Sequence, residues 1–172
     1  MNGMKALSIL SLSVFALLLT CCSGHQQPKS FNNVITGNDS VAMMLGDGTM
    51  EIYHSEALGL DIPHPSCLVH QEFDDSLQEV FVGGDISISV IAQYYNDEDI
   101  FRSAGQQMQG MGAELLEAED DYSIHTGQEG DFEYYAKVVE DSARLVTIIL
   151  RYYPDHAEGV EPLKQLVRDF KP

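Results

Sequence analysis

Apolar and polar residues alternate over much of this chain, and the alternation predicts strands. Ile86, Ile88, Val90, Ala92 and Tyr94 share one parity while Ser87, Ser89 and Gln93 take the other, the period-two pattern of a strand with one buried face. Gly83-Gly84-Asp85 just before it reads as a turn, because glycine reaches positive φ without steric cost, so Leu77 to Val82 and Ile86 to Tyr95 are expected to pair. Met50 to Ser55 and Leu58 to Pro63, either side of Glu56-Ala57, predict an earlier strand pair that ends at the breakers Pro63 and Pro65. Tyr122 to Thr126, Phe132 to Val139 and Leu145 to Tyr152 are joined by hairpin-length connections and predict three antiparallel neighbours. Leu145 to Leu150 is apolar on both parities, which suits a central strand covered on both faces.

Two stretches switch to helical spacing. Asn96-Asp97-Glu98-Asp99 supplies a cap and an acidic first turn, and Phe101, Ala104, Met108, Met111 and Leu115 recur at three and four, predicting a helix over Asp97 to Leu116. Pro162 suits a first turn, and Leu163, Leu166, Val167 and Phe170 give the final helix one apolar face. Strands, helix, meander and helix together predict an α+β domain from Glu51 to Pro172. The expected architecture is an antiparallel sheet covered by helices on both faces, an α/β/α sandwich.

The N-terminus reads as an address. Lys5 and the terminal amine precede Ala6 to Thr20, an uncharged run too short for the roughly 20 residues a membrane span needs but proportioned like the core of a signal peptide. Leu18-Leu19-Thr20-Cys21-Cys22-Ser23-Gly24 resembles the lipobox of bacterial lipoproteins. That resemblance implies cleavage before a cysteine that carries a diacylglycerol and further acyl chains such as palmitate. Cys22 is the preferred site, since a thiol before the cleavage point is smaller than a β-branched threonine; Cys21 is the alternative register, and an ordinary cleaved signal peptide the other reading. Residues 1–21 are then a lipoprotein signal peptide and 22–50 an anchor with a polar tether of about 30 Å r.m.s. reach. No acidic run follows the cysteine, which favours a periplasm-facing place in the cell envelope, with surface exposure the alternative.

Charge narrows the partners. Nine Lys and Arg against 27 Asp and Glu give a net charge of −18, which excludes nucleic acid, whose binding begins with clustered basic side chains. Removing the leader takes Lys5 with it, so attachment to an anionic membrane rests on acyl chains, at about 0.8 kcal/mol per buried CH₂.

The domain resembles the Mog1/PsbP-like fold and the bacterial DcrB-type lipoproteins. The resembling features are Gly59-Leu-Asp-Ile-Pro-His-Pro-Ser66, a helix after a long strand, the strand Leu145 to Asp155 and the amphipathic C-terminal helix. The resemblance implies that fold. Its members serve as an accessory subunit of photosystem II, as a binder of a small GTPase or as envelope lipoproteins, and none of these roles brings a residue motif to this chain.

Catalytic signatures are missing from the sequence: it has no G-x-S-x-G, H-E-x-x-H, P-loop, C-x-x-C or EF-hand loop. His64-Pro-Ser-Cys67-Leu-Val-His70 offers imidazole and thiol groups suited to zinc or copper, with Asp74 and Asp75 to complete the shell. Extended backbone alternates its side chains, however, so a three-residue spacing need not converge, and the favoured reading is Cys67 as a small packed hydrophobe beside two solvated loop histidines. The tyrosine pairs Tyr94-Tyr95, Tyr134-Tyr135 and Tyr152-Tyr153 predict either an aromatic strip or ordinary core and rim packing. Glu117, Glu119, Asp120 and Asp121 read as a solvated acidic loop, and Met43-Met44 with Met50 as chance clustering in a methionine-rich chain. The function expected is a lipid-anchored, non-catalytic module for an envelope protein or small-molecule partner, without cofactor. The alternative is a metal-handling lipoprotein using His64, Cys67 and His70.

Overall fold

The computed structural model describes residues 38–46, 48–72, 77–94, 108–109, 112–142 and 144–172, the side chains of 38–40 and 43 excepted. All of them fall in one compact unit, Ile35–Pro172. Nine strands dominate the described residues. β1 (Met50–Ser55) and β2 (Leu60–Pro65) form a two-stranded antiparallel sheet, and seven more form a larger one in the order β3-β4-β5-β9-β8-β7-β6. These are β3 (Val69–Gln71), β4 (Gln78–Gly83), β5 (Ile86–Tyr94), β6 (Glu114–Ala118), β7 (Tyr122–Glu129), β8 (Phe132–Asp141) and β9 (Arg144–Tyr152). Helix α1 covers Asn38–Leu45, a 3₁₀ turn Pro154–His156 and helix α2 Glu161–Asp169.

The expected strand pairs form. β4 and β5 meet around Gly84 at φ 59°, the β7-β8-β9 meander is antiparallel throughout, and β9 lies in the middle of the seven strands with Leu145 to Ile148 all buried. β2 runs on to Pro65, so its prolines do not stop it. Pro63 and Pro65 are two apart and withhold an N–H from the same edge, while the other parity donates, as Ser66 N does to Thr49 O at 3.0 Å.

The helix-covered sandwich is not what forms; the described residues are mostly β. On one face of the large sheet Phe81, Ile88, Val90, Ile148 and Leu150 pack with α2 through Leu163 and Val167, and with Leu60 and Ile62 of the β1–β2 hairpin. A β-hairpin thus takes much of the place expected of a helical layer, because β2 carries its leucine and isoleucine on the inward parity. On the other face Met108 and Ala113 pack on Ala136, Val138 and Leu145. Of the helix expected over Asp97 to Leu116, residues 97–107, 110 and 111 lie outside the described residues, as does Tyr95. Met108 and Gln109 are helical, but Gly112 at φ 86° turns the chain, and Leu115 and Leu116 belong to β6. Tyr94 is 65% exposed at the end of β5, not on its buried face.

Within the stretch read as tether, Asn38–Leu45 is helical and Val41 joins the main core. The signal-peptide and lipobox residues, Cys21 and Cys22 among them, and Asp74 and Asp75 lie outside the described residues. Among the described residues no helix is long and apolar enough to cross a membrane.

Candidate functional site

The densest polar constellation lies where the β1–β2 hairpin crosses the β3–β4 edge of the large sheet. β1 turns Tyr53 and Ser55 inward and β2 turns His64 inward, because the opposite parities carry Ile52, His54, Asp61 and Pro63. His70 of β3 stands opposite Phe81 of β4, and Glu79 shares that face two residues before Phe81.

Glu79 organises the site. Its carboxylate is buried and accepts from Ser55 Oγ at 2.5 Å on one oxygen and pairs with His70 Nε2 at 2.6 Å on the other. Ser55 is fully buried and accepts from Leu58 N at 3.0 Å, and Gly59 N, with Gly59 at φ 61°, donates to Ser55 O at 2.8 Å. One serine therefore closes the hairpin turn and ties it to the sheet. A buried carboxylate with a bond to each oxygen recovers the solvation it gave up, each charge-assisted bond contributing about 1.5–3 kcal/mol.

Aromatic stacking completes the seam. His70 lies between Tyr53, stacked at 4.3 Å, and Phe81 at 5.3 Å, and His64 stacks on Phe81 at 4.4 Å. Burial pushes the Tyr53 hydroxyl above its ordinary pKa, with Glu79, Glu72 and Glu56 adding to the effect. Below the seam a methyl group on Gly83 would sit 2.6 Å from Leu68 Cδ2 and 2.9 Å from Cys67 O, so the turn holding Cys67 rests directly on β4 backbone.

The spacing His64, Cys67, His70 is thus spread over the end of β2, a turn and the start of β3. His64 Nδ1 lies 2.9 Å from Pro65 O, His70 is engaged with Glu79, and burial pushes the Cys67 thiol above its usual range, away from the thiolate that ligates metals. Among the described residues no group of three or more His, Cys, Asp or Glu is placed to hold a metal ion. Ser55 and Glu79 were not singled out in the sequence. The available signal was a carboxylate on the same parity as Phe81, just before the apolar run Val80 to Val82.

The remaining sequence candidates are dispersed. Tyr135 is buried and accepts from Arg168 Nη2 at 2.8 Å, Tyr152 is buried beneath Lys164, Tyr134 lies across Gly127, and Tyr153 stacks on Phe132 at 4.2 Å. Of the residues read as an acidic loop, Glu117 lies in β6 and accepts from the Tyr122 hydroxyl, and that bond is the main reason the Tyr122 pKa is pushed up to about 12. Met44 packs against the core while Met50 is 47% exposed.

Neither a family model nor a curated protein matches the sequence. Among solved structures, the chain is similar to the cyanobacterial PsbP (CyanoP) of Synechocystis sp. PCC 6803, at 16% identity over 72% of this chain and 92% of that one, with a TM-score of 0.49. It is also similar to PA94 of Pseudomonas aeruginosa, a protein of unknown function, at 14% identity over 73% and 98% of the two chains, TM-score 0.45. A protein of Bacteroides thetaiotaomicron VPI-5482 gives 13% identity over 63% of this chain and 45% of that one, TM-score 0.41. One of these is a PsbP; at such identities and TM-scores neither family nor activity follows.

Proposed function

We propose that this chain is a lipid-anchored, non-catalytic binding module of the bacterial cell envelope, held through Cys22 (Cys21 in the alternative register) and presenting its domain to a protein partner on the periplasmic side. The observation that carries the binding reading is the outer face of the β1–β2 hairpin. Met50 and Ile52 lie on the outward parity of β1, 47% and 73% exposed, with Ile52 opposite the half-buried Pro63, while Pro65 opposite Met50 is buried. Isolated exposed apolar residues are ordinary, but Met50, Ile52 and Pro63 side by side on a hairpin pinned from beneath by Ser55 and Glu79 form a contact surface.

The site beneath supports the same reading. Ser55 and His70 bond opposite oxygens of Glu79 and not each other, and the fully buried Ser55 Oγ is closed off by Glu79 and Leu58 N. They hold the hairpin.

Two measurements test the proposal. Labelling cells with an alkyne fatty acid is expected to tag the full chain and to lose the tag in Cys22→Ser; a tag retained there and lost in Cys21→Ser moves the anchor, and no tag in the wild type removes it. A photo-crosslinking amino acid at position 52 is expected to give one discrete protein adduct in intact envelopes, absent when the probe sits at the exposed position 128. No adduct at position 52 overturns the hairpin as a contact surface.

A further inference from the structure

Among the described residues the large sheet ends on β6, at the opposite end of the strand order from β3. β6 is the terminal strand of the large sheet among the described residues, so one side of its backbone has no strand neighbour. Its register on β7 shifts between Leu115 and Glu117, which leaves Leu116 opposite no residue of β7. A bulge of this kind breaks the alternation, and two consecutive leucines stay at the surface, 41% and 47% exposed. Around them stand Glu114, Glu119, Asp120 and Asp121, all exposed, while Glu117 is occupied by Tyr122 and lies 4.0 Å from Arg168.

We infer that β6 is a docking edge for an extended segment of a partner protein, basic and apolar in alternation, that joins the sheet as an added strand. Backbone groups on the open side supply the ladder, Leu115 and Leu116 the apolar contacts, and the carboxylates the selection. Charge decides between occupants. A second copy of this chain laid along β6 would gather Glu114, Glu119, Asp120 and Asp121 of both copies at one seam, an accumulation of like charge that weakens the pairing in any register. An anionic membrane surface is repelled by the same carboxylates. A strand carrying Lys or Arg at the matching positions turns that repulsion into attraction, so the charges that prevent self-association also specify the partner.

The inference concerns a different surface from the hairpin and is tested apart from it. The full chain, isotope-labelled and held in zwitterionic detergent, is titrated with a short capped peptide alternating valine and lysine. Amide shifts and slowed hydrogen exchange are expected at Glu114 to Ala118. The same peptide with its central valine replaced by proline, equal in charge but poorer in backbone donors, is expected to bind about tenfold more weakly. Leu116→Ser weakens the valine–lysine peptide, and the surface double variant Glu114→Lys with Glu119→Lys reverses the preference toward a valine–glutamate peptide. Absence of binding, equal binding of the proline peptide, or shifts spread over the acidic surface without protection at β6 overturns the inference, as does protection confined to β3.

Discussion

Lys137 of β8 donates to the carbonyl of Phe170 at 2.9 Å and to that of Arg168 at 2.7 Å, so a lysine from the sheet finishes helix α2. The last carbonyls of a helix have no partner within it, and an ammonium there also meets the negative end of the helix dipole. Lys137 is itself buried, its ammonium lies 4.7 Å over the Tyr122 ring, and desolvation pulls its pKa below the ordinary lysine value.

Lys137→Met keeps the volume and removes both bonds. It is expected to destabilise the fold by about 1–3 kcal/mol, read as a lower urea midpoint, with the first loss of amide protection in residues 161–170. A midpoint equal to wild type would show that the two carbonyls find other partners.

Glu79→Leu is expected to cost about 3 kcal/mol, since Ser55 and His70 lose the acceptor they share. The loss is local at first. Hydrogen exchange in residues 50–65 rises before that in β5 and β9, and circular dichroism of the sheet changes little. Uniform acceleration across all strands would mean that Glu79 supports the whole core and not the hairpin.

His125 gives the stability a pH dependence. The ring is fully buried on β7, its Nε2 lies 2.8 Å from Ser123 Oγ, its Nδ1 has no partner among the described residues, and desolvation lowers its pKa below 6.5. The folded chain therefore refuses a proton that the unfolded chain accepts. Stability is full above about pH 6.5 and falls as the pH drops below it toward the folded value, by linkage. His125→Gln is expected to flatten urea midpoints between about pH 7 and 5; an unchanged slope would assign the acid sensitivity to other groups.

Zinc and copper are expected to leave the domain unchanged. With His70 on Glu79 and the Cys67 thiol pushed up, native mass spectra show the bare mass with or without chelator, and Cys67→Ala leaves the melting temperature within about 1 °C. A stoichiometric metal mass lost in Cys67→Ala would restore the site spaced His64, Cys67, His70.

Local pattern was enough for the strand pairs but not for β3 or β6. Alternation around Ile88, the glycine turn before it and the two-sided apolar run at Leu145 to Leu150 each reflect chemistry within a few residues, so β4-β5 and β7-β8-β9 were legible, with β9 at the centre. The C-terminal helix was legible for the same reason. Where the chain leaves a helix, and what covers a sheet face, depend on packing between distant segments. Leu115 fits a helical stripe by spacing, yet pairing with β7 draws it into a strand after Gly112 turns the chain. The hairpin as a covering layer, and the meeting of Ser55 with Glu79 from strands 24 positions apart, came only with the tertiary structure. The sequence by itself determined the acidic charge and the strand pairings β1-β2, β4-β5 and β7-β8-β9. Tertiary packing decided which polar groups meet, because a buried carboxylate takes whatever donors the fold places within reach.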